Sequence, residues 1–134
     1  MSTVIVNRRV LNQGMNWIRP QKRMAIYIRD NFRCCYCGRG LVEGIQLTLD
    51  HLRPYVKGGT HSETNLVTCC RLCNTSRGAR PWRVFARRVA EQYSLSAVQI
   101  IAHIDRVRYR MIPLDAARDL LEQNRGFRAA LAAA

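Results

Sequence analysis

Lysine is almost missing from this chain: of 22 basic residues only Lys22 and Lys57 are lysines, which leaves 20 arginines. Acidic residues are scarce too, 9 against those 22, and none falls between Glu63 and Glu91. No apolar run approaches the roughly 20 residues a bilayer-spanning helix needs, because charges interrupt every hydrophobic stretch. Met1 to Arg9 holds a short Val4-Ile5-Val6 run and two arginines, without the apolar core and small-residue cleavage site of an export signal. These absences exclude a membrane-spanning protein and set the expectation of a cytoplasmic one. A length of 134 residues gives room for one domain, not two.

What is abundant is positive charge, a formal +13. Arginine's planar fork of donors matches a phosphate bidentately and stacks on bases, whereas a chain basic only for solubility has no reason to avoid lysine. A GC-rich codon preference explains the arginine-to-lysine ratio but not the net charge. Arg71, Arg77, Arg80, Arg83, Arg87 and Arg88 all fall in the acid-free segment. A basic stripe of this kind lies along a polyanion, and nucleic acid is the commonest.

Six cysteines form two tight clusters, Cys34-Cys35-Tyr36-Cys37-Gly38 and Cys69-Cys70-Arg71-Leu72-Cys73. Without an export signal, disulfides are the weaker reading. Two C-x-x-C pairs, Cys34 with Cys37 and Cys70 with Cys73, have the spacing that places two thiolates on one metal, and four thiolates suggest structural zinc. Gly38 suits the sharp turn after the second sulfur of a zinc knuckle. Cys35 and Cys69 then read as small buried apolar residues; ligand sets that use them have less usual spacings.

The pattern predicts a helix over Gln21 to Arg29 with Pro20 in its first turn and Met24, Ile28 and Tyr27 inward. Leu47-Thr48-Leu49 predicts a short strand ending in Asp50-His51, Pro54 and Gly58-Gly59 a long loop, and Leu66-Val67-Thr68 a second strand. A helix should begin near Cys70 and end or kink at Pro81. Trp82, Phe85, Val89 and Tyr93 recur along a further helical face. Ser96 can cap a helix with Ile100, Ile101, Ile104 and Val107 inward, and Pro113 can open another through Leu114, Leu120 and Leu121. Ala129 to Ala134 is low complexity and expected to fray.

Zinc held by four cysteines is coordinatively saturated, so any chemistry must lie between the pairs. There the chain offers Asp50-His51 at a strand end, Asn65 at the start of the next strand, and Asn74 after Cys73. A carboxylate and an amide oxygen suit Mg²⁺ or Mn²⁺. Adjacent strand residues point to opposite faces, so of Asp50 and His51 one can hold the ion and the other reach a water.

These residues resemble the HNH endonucleases with the ββα-metal motif, in the form that carries two flanking C-x-x-C pairs. The resemblance runs from about Arg23 to Pro81, through Arg29-Asp30-Asn31-Phe32-Arg33-Cys34, Cys37-Gly38, Leu47-Thr48-Leu49-Asp50-His51, Pro54, Gly58-Gly59, Asn65-Leu66-Val67 and Cys70-x-x-Cys73-Asn74-x-x-Arg77-Gly78. It implies an α+β, treble-clef-like core stapled by zinc on Cys34, Cys37, Cys70 and Cys73. It also implies His51 as general base, Asp50 and Asn74 on a single catalytic Mg²⁺ or Mn²⁺, and Asn65 as the residue that fixes the loop and so orients the base. Asn74 stands where many members have His, and Arg77 where many have Lys; the second keeps a cation for phosphate.

The implied organisation is an N-terminal extension (1–22), a nuclease core (23–81) and a C-terminal helical extension (82–134) packed on it. The implied reaction is one-metal hydrolysis of DNA, most simply double-stranded, leaving 5′-phosphate and 3′-hydroxyl. Arg71, Arg77, Arg80, Arg83 and Arg87 are expected on the nucleic acid. His61 reads as an exposed loop histidine, His103 as structural, and Trp82 as core. The alternatives are a non-catalytic zinc module that binds nucleic acid and a structural protein that binds a partner through its C-terminal helices.

Overall fold

Pro20 opens the first described helix, α1 (Pro20–Arg29), where its missing N–H costs nothing and its fixed φ is already helical. The computed structural model describes residues 17–133, with side chains through residue 125; the reading of Met1–Arg9 therefore lies outside the described residues. Pro20 stands in the first turn of this helix as the sequence pattern predicts, and position 22/23 lies within it. The helix ends where Asn31 and Phe32 take left-handed backbone angles (φ 57° and 54°). Arg29 and Asp30 then tie this end to the sheet. Arg29 Nε donates to Asp30 Oδ1 (2.8 Å), its Nη2 donates to the Leu66 carbonyl (2.7 Å), and Asp30 Oδ2 accepts from the Thr68 N–H (2.8 Å).

The knuckle follows directly. Cys35 N–H donates to the Thr68 carbonyl (2.9 Å), Gly38 N–H to the Cys34 carbonyl (2.9 Å), and Gly38 adopts φ +79°, a conformation that favours glycine. Strands β1 (Leu47–His51) and β2 (Leu66–Cys70) pair antiparallel, with Leu47 opposite Cys70 and His51 opposite Leu66. Helix α2 (Arg71–Arg77) leaves β2 without a loop; the Cys70 sulfur accepts from the Cys73 N–H (3.3 Å) at its start.

Two apolar cores lie on the two sides of this hairpin. One joins the knuckle, Leu52, Val67 and Cys69 to α3 (Trp82–Tyr93) and α4 (Ala97–Val107), through Trp82, Phe85, Val89, Ile100, Ile104 and Val107. The other joins Leu47, Leu49 and Leu66 to α1 and to α5 (Leu114–Ala133), through Met24, Tyr27 and Ala117, with Leu120 and Leu121 packed against them. Each fully buried side chain of this size contributes about 1.5–3 kcal/mol. Ser96 caps α4 as its position predicts, accepting from the Gln99 N–H. Three details differ from the sequence pattern. Tyr93 stays at the surface, its hydroxyl accepting from Arg39 Nη2 (3.1 Å). Leu114 is exposed, because the chain enters α5 there before reaching the core. The terminal alanines continue α5 as far as Ala133.

Candidate active site and metal centre

The four sulfurs of Cys34, Cys37, Cys70 and Cys73 lie within 4.8 Å of one another, and those of Cys37 and Cys70 are 3.8 Å apart. A tetrahedron with zinc–sulfur bonds of ~2.3 Å has edges of about 3.8 Å, so the cluster can hold a structural metal such as zinc. The electrostatics agree. Hydrogen bonds from Cys37 and the other thiols hold the Cys34 thiol far below its ordinary range, whereas the bond with Cys34 pushes Cys73 up. Cys37, which the bond with Cys34 alone would raise, is held below its ordinary range by Cys70 and Cys73, and Cys70 is raised like Cys73; a divalent cation among the four sulfurs favours the thiolate form of each. Cys35 and Cys69 are buried and lie outside the four-sulfur group, Cys69 sharing a side-chain hydrogen bond with Cys34.

Strand alternation sorts the second site. Thr48 and Asp50 project toward α2, while Leu47, Leu49 and His51 belong to the α1 side. Asn74 Nδ2 donates to Thr48 Oγ1 (2.9 Å) and to the Leu49 carbonyl (3.3 Å). With its nitrogen so engaged, the Asn74 amide oxygen takes no hydrogen bond from any described residue. Asp50, His51, Asn74 and Arg77 line one groove of about 480 Å³, walled by Trp17 and Tyr55.

Asp50 is 5 % exposed and heavily partnered. Arg77 Nη1 reaches both of its oxygens (2.7 and 2.6 Å) and the Tyr36 hydroxyl donates to Oδ2 (2.7 Å). Burial pushes its carboxyl up, and Arg77 and Tyr36 oppose that shift. Tyr36 is pushed well up in turn, by burial and then by Asp50.

At the strand end His51 is half-buried, and burial lowers its pKa, with His61 and Arg77 adding to the effect. Its Nε2 lies 2.9 Å from His61 Nδ1. Trp17 packs on both imidazoles (centroids 4.7 and 4.6 Å), and Tyr55 stacks on His61 (4.9 Å, 7° between planes). Asn65 sits behind this group. Its Oδ1 accepts from the Arg53 N–H (2.9 Å), and its Nδ2 donates to the carbonyls of Arg53 (3.0 Å) and Thr60 (2.9 Å), clasping both ends of the loop between the strands.

The arginines separate. Arg77 is 3 % exposed, and beyond Asp50 it donates to the carbonyls of His51, Leu52 and Arg80, so that every guanidinium nitrogen is engaged inside the fold. Arg80 turns back onto the Ser76 and Arg77 carbonyls at the end of α2, satisfying acceptors the helix leaves open. Arg83 lies over the Trp82 ring and 3.6 Å from Asp105. Arg71, Arg83, Arg87 and Arg88 are exposed.

Four participants escape sequence reading. Tyr36 reads only as the spacer of a C-x-x-C pair, Trp17 and Tyr55 carry no spacing signal, and His61 is ten positions from its partner across a loop.

The HNH endonuclease family model matches residues 34–80. Among curated proteins, a CRISPR-associated endonuclease Cas9 of Corynebacterium diphtheriae is 30% identical over 82 residues, 60% of this chain. The match spans 7% of that relative's length. No solved structure gives a significant match.

Proposed function

We propose, from the match of residues 34–80 to the HNH endonuclease family model, that the protein is a metal-dependent endonuclease that hydrolyses DNA phosphodiester bonds. The observation that carries the reading is the single groove that gathers Asp50, His51 and Asn74. His51, kept neutral by burial, is the general base that takes a proton from the attacking water. Its other nitrogen, Nδ1, takes no hydrogen bond from any described residue.

Asp50 and Asn74 are the residues that would hold Mg²⁺ or Mn²⁺. The donor set fits: a free amide oxygen and a carboxylate oxygen, Oδ1, that accepts a single hydrogen bond, both hard ligands on one groove. Arg77 cancels the carboxylate charge, so this pair attracts a cation best when a phosphate brings its own negative charge to the groove. When bound, such an ion supplies charge to the non-bridging and leaving oxygens. Asn65 keeps the loop beside His51 in place, and the cysteine cluster is read as structural zinc. The products are 5′-phosphate and 3′-hydroxyl ends, and the exposed Arg71, Arg83 and Arg87 meet the nucleic acid backbone.

A nicking assay tests this: purified protein with Mg²⁺ or Mn²⁺ should open supercoiled plasmid, and His51→Ala should not. Intact plasmid with the wild type rejects catalysis. The hydrogen bonds of Arg77 to both Asp50 oxygens, and of Tyr36 to Oδ2, favour one second reading, a zinc module that binds nucleic acid without cutting it. That module binds steeply with salt and is indifferent to Asn74→Ala.

A further inference from the structure

A general base needs one bare nitrogen, and which nitrogen of an imidazole is bare depends on what the other one touches. His51 Nε2 touches His61 Nδ1 at 2.9 Å, so one of the two must carry the shared proton. If His61 donates, His51 keeps its proton on Nδ1 and has no base left. If His51 donates, its Nδ1 is bare.

Resting on the endonuclease reading, we propose that His61 is a positioning residue: its Nδ1 accepts the Nε2–H of His51 and holds that ring in the tautomer whose Nδ1 can receive a proton. The surroundings hold His61 for this task. Lys22 Nζ donates to the His61 carbonyl (2.7 Å) and lies 3.7 Å from Glu63, while Asn65 Nδ2 anchors the carbonyl of the preceding residue, Thr60 (2.9 Å). Tyr55 stacks face to face on the ring (4.9 Å, 7°), and Trp17 covers both imidazoles. Backbone, face and nitrogen of His61 are thus each engaged. Any other tautomer arrangement loses the bond or deprives His51 of its acceptor. The middle asparagine therefore acts on the base through a second imidazole and not only through the loop.

The test uses the full, zinc-loaded chain and two variants. His61→Phe keeps a flat ring between Tyr55 and Trp17 but removes the nitrogen. His61→Asn restores a polar atom at the Nδ1 position. Long-range ¹H–¹⁵N spectra of the imidazoles report the His51 tautomer directly, and plasmid nicking with Mg²⁺ reports turnover. The expected result is His51 with Nε2 protonated and Nδ1 bare in the wild type, a mixture of tautomers in His61→Phe, and recovery in His61→Asn. Turnover should fall about 10- to 100-fold in His61→Phe with KM for plasmid, zinc content and melting temperature unchanged, and return in large part in His61→Asn. A wild-type His51 protonated on Nδ1 overturns the proposal, as does full turnover in His61→Phe or equal loss in both variants. The spectra decide the tautomer whether or not plasmid is cut, so failure of the endonuclease reading and failure of this inference appear in different measurements.

Discussion

Arg77 Nη1 lies 2.7 Å from Oδ1 and 2.6 Å from Oδ2 of Asp50, with only 3 % and 6 % of the two side chains exposed. The end of α2 is thereby locked to the end of β1. Removing one member of such a pair leaves an uncompensated charge in the interior, which costs about 3–5 kcal/mol. Arg77→Met should lower the unfolding free energy by about that amount in denaturant titration, and Asp50→Asn added to it should restore part of the loss. An Arg77→Met protein as stable as wild type contradicts the pairing.

His51→Ala should separate chemistry from binding. The side chain is half-buried at a strand end, and deleting it removes the proposed proton acceptor without touching the Asp50 and Asn74 oxygens proposed to hold a metal. Turnover should drop about 10²- to 10⁴-fold while the apparent affinity for duplex DNA stays within a factor of about two. A comparable loss of both would mean that the imidazole serves binding.

Gly59 is where the loop between the strands comes nearest to itself. A Cβ there would collide with the Arg53 carbonyl and lie 2.9 Å from the Pro54 carbonyl oxygen, both of them backbone that cannot swing away. Gly59→Ala should therefore destabilise by more than the roughly 1 kcal/mol expected for Gly44→Ala, which has a positive φ but open space around it. Thermal melts of the two variants side by side check the order.

Metal removal should unfold rather than merely inactivate. Structural zinc supplies on the order of 10 kcal/mol of apparent binding free energy, and the cysteine cluster joins the knuckle to the start of α2. Elemental analysis should find about one zinc per chain. A strong chelator should abolish the far-ultraviolet signal of the core along with any activity; a stripped protein that keeps its fold rules out the structural role.

Exposed and buried arginines should differ in salt dependence. Arg87 is exposed and makes no hydrogen bond or ion pair with any described residue, whereas Arg77 is fully committed inside. Arg87→Ala should reduce the slope of log affinity against log salt by about 1, the signature of one lost phosphate contact. A slope that does not change removes Arg87 from the interface.

The element order was legible in the amino acids because each signal is local. Pro20 starts α1, alternation marks the two strands, Ser96 caps α4, and three- and four-residue spacing separates Phe85 and Val89 from the arginines between them. The four-cysteine cluster was legible for a related reason: C-x-x-C spacing places two thiols close enough to share one ion, and the tertiary fold has only to bring the two pairs together. Asp50, His51 and Asn74 stood out by their place between those pairs. What the chain order could not reveal is which groups neutralise or orient them. Arg77 looks like one more cation in a basic stripe until α2 is laid against β1, and His61 looks like a loop residue until the loop closes on the strand end. Burial, ion pairing and imidazole contacts join residues far apart in the chain through short distances in space; no periodicity records them, and only the folded packing decides their roles.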